Sequence, residues 1–340
     1  VSRDDAAILH GLHRRLDRRL SSKGHLTFPA IPSLERIILQ RIEAVLRLIG
    51  RPFSKDEMTE VAGMIVPRMQ KSYAEGPHGW ITFRWQSRGS PNYHLDYEVS
   101  LGTETTTDHY ERWAEERDEP FGPLPDAMVT AVAAGLPGVR VLDIGAGSGR
   151  NALALARLGH AVDAIEPTPG FVAIIRKAAE EASLPVTAVE GDILSADLEV
   201  GAGYGMAILS EVTSHFRSAG DLRTLFERLA AALTPGGAVV VNAFLGEPGW
   251  EPTLLMRELA EVSWSTCYTR DDLTRSLVGL PFTLEQLVPC AEFEAKNLPE
   301  GAYPPTGWYD SWADGWDVFG MQKGSPPIRL TWIVLRRGPR

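Results

Sequence analysis

The run Val141-Leu142-Asp143-Ile144-Gly145-Ala146-Gly147-Ser148-Gly149-Arg150 places an acid at the end of an apolar stretch and three glycines directly behind it. Glycine lets a ligand approach the backbone without an intervening side chain, so this turn has the chemistry of a cradle for a small molecule. Val139, Val141 and Leu142 predict a buried strand and residues 151–158 a helix. Strand, glycine turn and helix are the opening unit of a doubly wound α/β fold. Two chemistries drop out on spacing. A dinucleotide fingerprint needs its third glycine three residues after the second, where Arg150 stands, and a phosphate loop ends in Gly-Lys-Ser/Thr, which Gly149-Arg150-Asn151 does not supply. A tight turn without a ligand is the alternative.

With Asp143 two positions before Gly145, the chain resembles the class I S-adenosylmethionine-dependent methyltransferases. The resemblance implies that Asp143, Gly145, Gly147 and Gly149 border the methionine part of S-adenosylmethionine. It extends to Glu166, implied to accept the ribose hydroxyl protons, and to Asp192 and Ile193, implied to meet the adenine amino group and ring. The loop Ser210 to Phe216 is implied to border both cofactor and substrate. Within it His215 is a candidate base, since an imidazole titrates near neutral pH. Ser210 is a candidate for both catalysis and cofactor contact, and Asn151, beside Arg150 at the helix start, is a third catalytic candidate. A histidine bonded to backbone and a solvated arginine are the rival readings.

Aromatic residues form the second unusual pattern. Tyr303, Trp308, Tyr309, Trp312, Trp316 and Phe319 crowd a segment before the last predicted strand. Their faces favour a sulfonium cation and their bulk excludes water. Tyr110, Trp113, Phe216, Trp264, Trp308, Tyr309 and Trp312 are therefore the expected substrate pocket, with satellite core as the rival role for the segment. The expected activity is methyl transfer to a small molecule. Two alternatives stand beside it: cyclisation of the cofactor to azetidine-2-carboxylate with release of methylthioadenosine, as in the azetidine-2-carboxylate synthases, and a non-catalytic cofactor-binding module.

These residues need a scaffold. Short apolar strands at residues 139–144, 161–166, 186–190, 206–210 and 238–243 alternate with helices, and residues 282–288 and 328–335 close the series. The expectation is a Rossmann-like, doubly wound sheet of seven strands over residues 119–340, with the aromatic insertion at 291–327. Residues 1–118 read as an accessory unit of helices and a β-hairpin, forming a lid or substrate side. Its first segment, residues 3–23, interleaves arginines with Ile8, Leu9, Leu12 and Leu16. A terminal helix packing these on the domain is preferred to a membrane-surface element because Asp4, Asp5 and Asp17 intervene.

The net charge of -10 argues against nucleic acid as a partner. Cys267 and Cys290 lack partners at metal spacing, so neither a metal nor a disulfide framework is expected, and a reducing cytoplasm is. No apolar stretch is long enough to span a bilayer. The oligomeric state is open.

Overall fold

In the computed structural model, which describes residues 3–17, 21–87, 95–117, 119–322 and 324–339, the chain divides after Thr105 into two compact units. The first comprises α1 (Arg3–Asp17), β1 (Ser22–Pro29), α2 (Glu35–Leu48), α3 (Lys55–Glu75), β2 (Gly79–Ser87) and β3 (Leu95–Thr103). β2 and β3 form the expected antiparallel hairpin, Ile81 opposite Leu101 and Trp85 opposite Tyr97. Its predicted turn, Gly89-Ser90-Pro91, and Tyr93 and His94 lie outside the described residues. β1 adds a third strand where the sequence reading continues a helix to Lys23. Its signal is the alternation of half-buried Gly24, Leu26 and Phe28 with exposed neighbours.

The start of α3 is fixed by reciprocal bonds: Glu57 N–H donates to Ser54 Oγ at 3.2 Å and Ser54 N–H to Glu57 Oε2 at 2.7 Å. α2 and α3 bury Ile38, Ile42, Val61, Ile65 and Met69 with Ile81 and Phe83 of the sheet. One expectation fails. Ile8, Leu9, Leu12 and Leu16 of α1 are 61%, 50%, 49% and 63% exposed rather than packed on the domain. Arg18, Arg19 and Leu20 of the same segment lie outside the described residues.

The second unit contains α4 (Thr106–Glu116), α5 (Ala127–Ala134), β4 (Val141–Ile144), α6 (Arg150–Arg157), β5 (Val162–Glu166), α7 (Pro169–Glu181), β6 (Val186–Glu190), β7 (Tyr204–Leu209) and α8 (Ala219–Ala232). It continues with β8 (Leu233–Gly246), α9 (Leu254–Val262), β9 (Cys267–Tyr268), α10 (Arg270–Leu277), β10 (Phe282–Pro289), α11 (Cys290–Asn297), α12 (Tyr309–Ala313) and β11 (Ile328–Arg337). The seven expected strands lie in the order β10-β11-β8-β7-β4-β5-β6, and the two-residue β9 is an eighth, paired with β8. β4 to β8 run parallel, whereas β11 is antiparallel to both β8 and β10.

Helices cover both faces, which is why the central strands are apolar on both sides. Leu142 and Ile144 face Leu222, Leu225, Phe226 and Leu229 of α8, while Val141 faces the side of α5, α6 and α7 that carries Met128, Leu155 and Ile175. From β4 the chain winds outward through β5 and β6 on one side, then returns to wind through β7 and β8 on the other. A sheet with this reversal opens a crevice at the carboxyl ends of β4 and β7, the place where such folds bind ligands. α4, assigned by the sequence reading to the N-terminal unit, belongs here. Its Glu111 accepts from the N–H of Gly170 at the start of α7, at 3.0 Å.

Candidate active site

A cavity of about 250 Å³ lies at that crevice, lined by Asp143, Gly145, Gly147, Glu166, Asp192 and Ile193 together with Ser210, His215 and Phe216. Four separate strand ends thus converge on one space. Asn151, Arg150 and Glu211 border it too, as do Thr106, Thr107 and Tyr110 of α4. Gly149 does not line it; it stands at φ 85° as the residue before α6, a left-handed conformation that favours glycine.

The glycine turn shapes the floor. A Cβ on Gly145 would lie 2.4 Å from Val212 Cγ2, and one on Gly147 would lie 2.8 Å from Phe121 Cε2, both at positive φ. Gly147→Ala is accordingly expected to lower stability by about 1–2 kcal/mol through its left-handed backbone, read as a lower urea midpoint with an unchanged slope. Glu166, 5% exposed, ties this turn to the next strand. Its Oε2 accepts from Gly147 N–H at 2.8 Å and its Oε1 from Thr168 N–H at 2.9 Å. Burial raises its pKa against these bonds. A carboxylate has about four acceptor sites, so capacity remains for a ligand hydroxyl.

Charge in the site is unequal. Arg150 donates to Asp126 Oδ1 at 2.6 Å, to Glu211 Oε1 at 3.0 Å and to Ser210 Oγ at 3.3 Å. Burial works against its charge, but Asp126 and Glu211 hold its pKa above the ordinary value. Asp143 and Glu211 are both pushed up to about 7, chiefly by burial and by the Asp126 charge, with Arg150 opposing. Asp143 Oδ2 is buried with no hydrogen-bond partner among the described residues. One guanidinium therefore serves several carboxyls, and the surplus negative charge beside an unsatisfied carboxyl oxygen suits a cationic ligand.

Both polar atoms of the Asn151 side chain bond Asp126: Nδ2 donates to Asp126 Oδ2 at 2.8 Å and Oδ1 accepts from Asp126 N–H at 2.9 Å. It fixes the acid that fixes Arg150. His215 Nε2 lies 3.1 Å from Tyr110 Oη, ring edge to ring face, with centroids 5.4 Å apart. Burial and the nearby Glu211 and Glu166 raise the Tyr110 pKa, which keeps the phenol protonated. Asp192 is exposed and its Oδ1 accepts from Leu194 N–H at 2.8 Å, while Ile193 is 4% exposed.

The expected aromatic pocket divides. Tyr110 and Phe216 line the cavity with Phe121 and Phe171, two rings the sequence reading does not select. Trp113 and Trp264 sit behind Tyr110, at centroid distances of 5.6 and 6.0 Å. Trp308, Tyr309 and Trp312 do not line the cavity. Tyr309 is 2% exposed in the core, and Trp312 packs edge-on to Phe244 at 4.9 Å and donates to Ser265 Oγ at 2.9 Å.

Glu211 is the largest omission. It takes φ 63°, rare for a residue with a side chain. Its N–H donates to Asn242 Oδ1 at 2.7 Å, and its C=O accepts from Ser214 Oγ at 2.9 Å. Its Oε1 accepts from Arg150, and the residue borders the cavity. Among those residues there is no cluster of side chains able to hold a metal, and no helix long and apolar enough to cross a membrane.

Residues 141–237 match the methyltransferase domain family. The chain is 31% identical over 119 residues to the ubiquinone biosynthesis O-methyltransferase of Methylobacterium sp. (strain 4-46), covering 35% of this chain and 42% of the relative. It is 28% identical over 155 residues to the enzyme of the same description from Bradyrhizobium sp. (strain ORS 278), covering 42% and 58%. The chain thus spans about half the length of the curated relatives it matches. Geranyl diphosphate C-methyltransferase from Streptomyces coelicolor A3(2) superposes with a TM-score of 0.45 at 15% identity, covering 62% of this chain and 75% of that one. Residues 141–237, the part that matches the methyltransferase domain family, hold the glycine turn, Glu166, Asp192 and the Ser210 loop.

Proposed function

We propose that the second unit binds S-adenosylmethionine in this cavity and transfers its methyl group to a hydroxyl of a small molecule. The observation that carries the reading is the convergence of Gly145–Gly147, Glu166, Ile193 and the Ser210–His215 loop on one space. The oxygen acceptor follows the relatives, which are O-methyltransferases. Small size follows from the enclosing rings, and the net charge of -10 supports a partner other than nucleic acid. Cys267 and Cys290 are free and buried, which suits a reducing cytosol.

When bound, S-adenosylmethionine supplies an electrophilic methyl carbon on a sulfonium. The chain's own residues do the rest. Glu166 and the 191–194 loop hold the nucleoside, and the Asp143 carboxyl answers positive charge. Tyr110, Phe121 and Phe171 exclude water. Glu211 takes the acceptor proton, because it borders the cavity, its bond to Arg150 runs through Oε1, and its pKa near 7 matches the working range of a general base. His215, bonded to Tyr110, orients the wall opposite.

The cyclisation alternative draws its pocket from the 291–327 insertion with Asn151 and Ser210; Asn151 and Ser210 border the cavity, whereas Trp308, Tyr309 and Trp312 do not line it. Calorimetry with S-adenosylhomocysteine tests the binding claim, and turnover of S-adenosylmethionine with and without a panel of phenols and alcohols tests the reaction. Methylthioadenosine released from cofactor alone overturns methyl transfer, and absence of S-adenosylhomocysteine binding overturns the whole reading. Glu166→Gln is expected to weaken binding about tenfold or more, since it trades a charged acceptor for a neutral one. Unchanged affinity removes Glu166 from the ribose.

A further inference from the structure

We infer that Arg228, a residue outside the cavity, is a positioning residue that shapes the cavity wall at residues 191–194 and thereby sets cofactor affinity. The segment after β6 has little regular structure of its own. Gly191 N–H bonds Glu166 O at 3.1 Å, and Ser195 and Leu198 N–H make only turn bonds at 3.0 and 3.3 Å. Its carbonyls turn instead toward α8. Arg228 donates to Ile193 O, to Ser195 O at 2.9 Å and to Leu198 O at 2.5 Å.

The base of this clamp is firm. Leu225, Phe226 and Leu229, around Arg228 on α8, are fully buried against the sheet. No carboxylate pairs with Arg228 among the described residues, so its donors serve the three carbonyls. A planar guanidinium with five N–H donors can hold three diverging carbonyls at once, whereas an ammonium is a single point on a flexible stem. The clamped segment also folds back on itself: a Cβ on Gly191 would lie 2.6 Å from Leu198 Cδ1. Gly191, Asp192, Ile193 and Leu194 all line the cavity. The bond to Ile193 O therefore acts directly on the backbone that carries the buried apolar side chain of the wall.

The affinity part of this inference rests on the cavity being the cofactor site; the clamp itself does not. Arg228→Met and Arg228→Lys in the full chain, followed by hydrogen exchange and by calorimetry with S-adenosylhomocysteine, separate the two. In Arg228→Met the amides of 191–198 are expected to exchange faster, those of β4, β7 and β8 to keep their protection, and Kd to rise about tenfold. Arg228→Lys recovers part of both. Exchange in 191–198 equal to that of the unsubstituted protein, or an unchanged Kd, overturns the inference. So does a rise in Kd that accompanies faster exchange throughout the core, because that is general destabilisation. Failure of the unsubstituted protein to bind S-adenosylhomocysteine overturns the cofactor reading and the affinity claim together, while the exchange comparison still reports the clamp.

Discussion

Arg150→Ala is expected to lower the unfolding free energy by about 3–5 kcal/mol at pH 8, because it strands buried carboxylates without their cation. The side chains of Arg150, Asp126 and Glu211 are 9%, 4% and 14% exposed. Glu294 adds to the negative charge from the far side. Its carboxylate accepts from Ala127 and Met128 N–H at 2.7 and 3.2 Å and from Trp332 Nε1 at 2.9 Å. The cost depends on pH, and its sign follows from the shifts. Asp143 and Glu211 have folded pKa values raised to about 7 from ordinary values of 3.8 and 4.5. Each contributes stability that is complete below the ordinary value and is lost as pH rises through about 7. Removing Arg150 raises both further, so the variant goes on losing stability at pH values where the unsubstituted protein has finished. Urea unfolding at pH 6 and pH 8 is expected to show a larger gap between the two proteins at pH 8. An equal gap at both, or one below about 1 kcal/mol, means that Arg150 is not the cation holding these acids.

That network shows where reading the sequence stops. The glycine turn, Glu166, Asp192, Ile193 and the loop from Ser210 are legible because each follows a short apolar strand, and parallel strands in one sheet bring their carboxyl ends to one edge. Local spacing is then enough to place them in one cavity. The Arg150 network has no local signal. Asp126 lies before α5 and Glu211 follows β7, and only packing brings them to one guanidinium, with Glu294 of α11 adding its charge to Glu211. The left-handed backbone of Glu211 depends on Asn242, a distant residue on β8.

The aromatic residues fail for a different reason. Composition predicts a dense ring cluster but not which side of the sheet edge it fills. Tyr309 goes to the core, Trp312 packs on Phe244 and Trp308 lies beside Trp113, while the cavity takes Phe121 and Phe171, which stand singly in the sequence. β1 and β9 escape because one adjoins a helical pattern and the other has two residues.

Glu211→Gln is expected to lower kcat about 100-fold or more, the usual contribution of a positioned proton acceptor, while S-adenosylhomocysteine binds with its original affinity. Glutamine keeps the shape of the side chain and an oxygen for Arg150, so the loss isolates proton removal from binding. The pH profile sharpens the assignment. Activity of the unsubstituted protein should rise with pH through about 7 as Glu211 gives up its proton, and that limb should vanish in Glu211→Gln. Arg150 opposes the upward shift of Glu211, so Arg150→Ala, where it folds, should move the limb to higher pH. Movement of the limb in the Arg150 variant and its absence in the Glu211 variant would link the two residues as one titrating unit. His215→Asn is expected to cost less, because the Nε2 of His215 already meets the Tyr110 hydroxyl at 3.1 Å. Should His215→Asn abolish the limb while Glu211→Gln retains it, the proton acceptor is the imidazole, and the phenol of Tyr110 is then the group that a bound acceptor must displace.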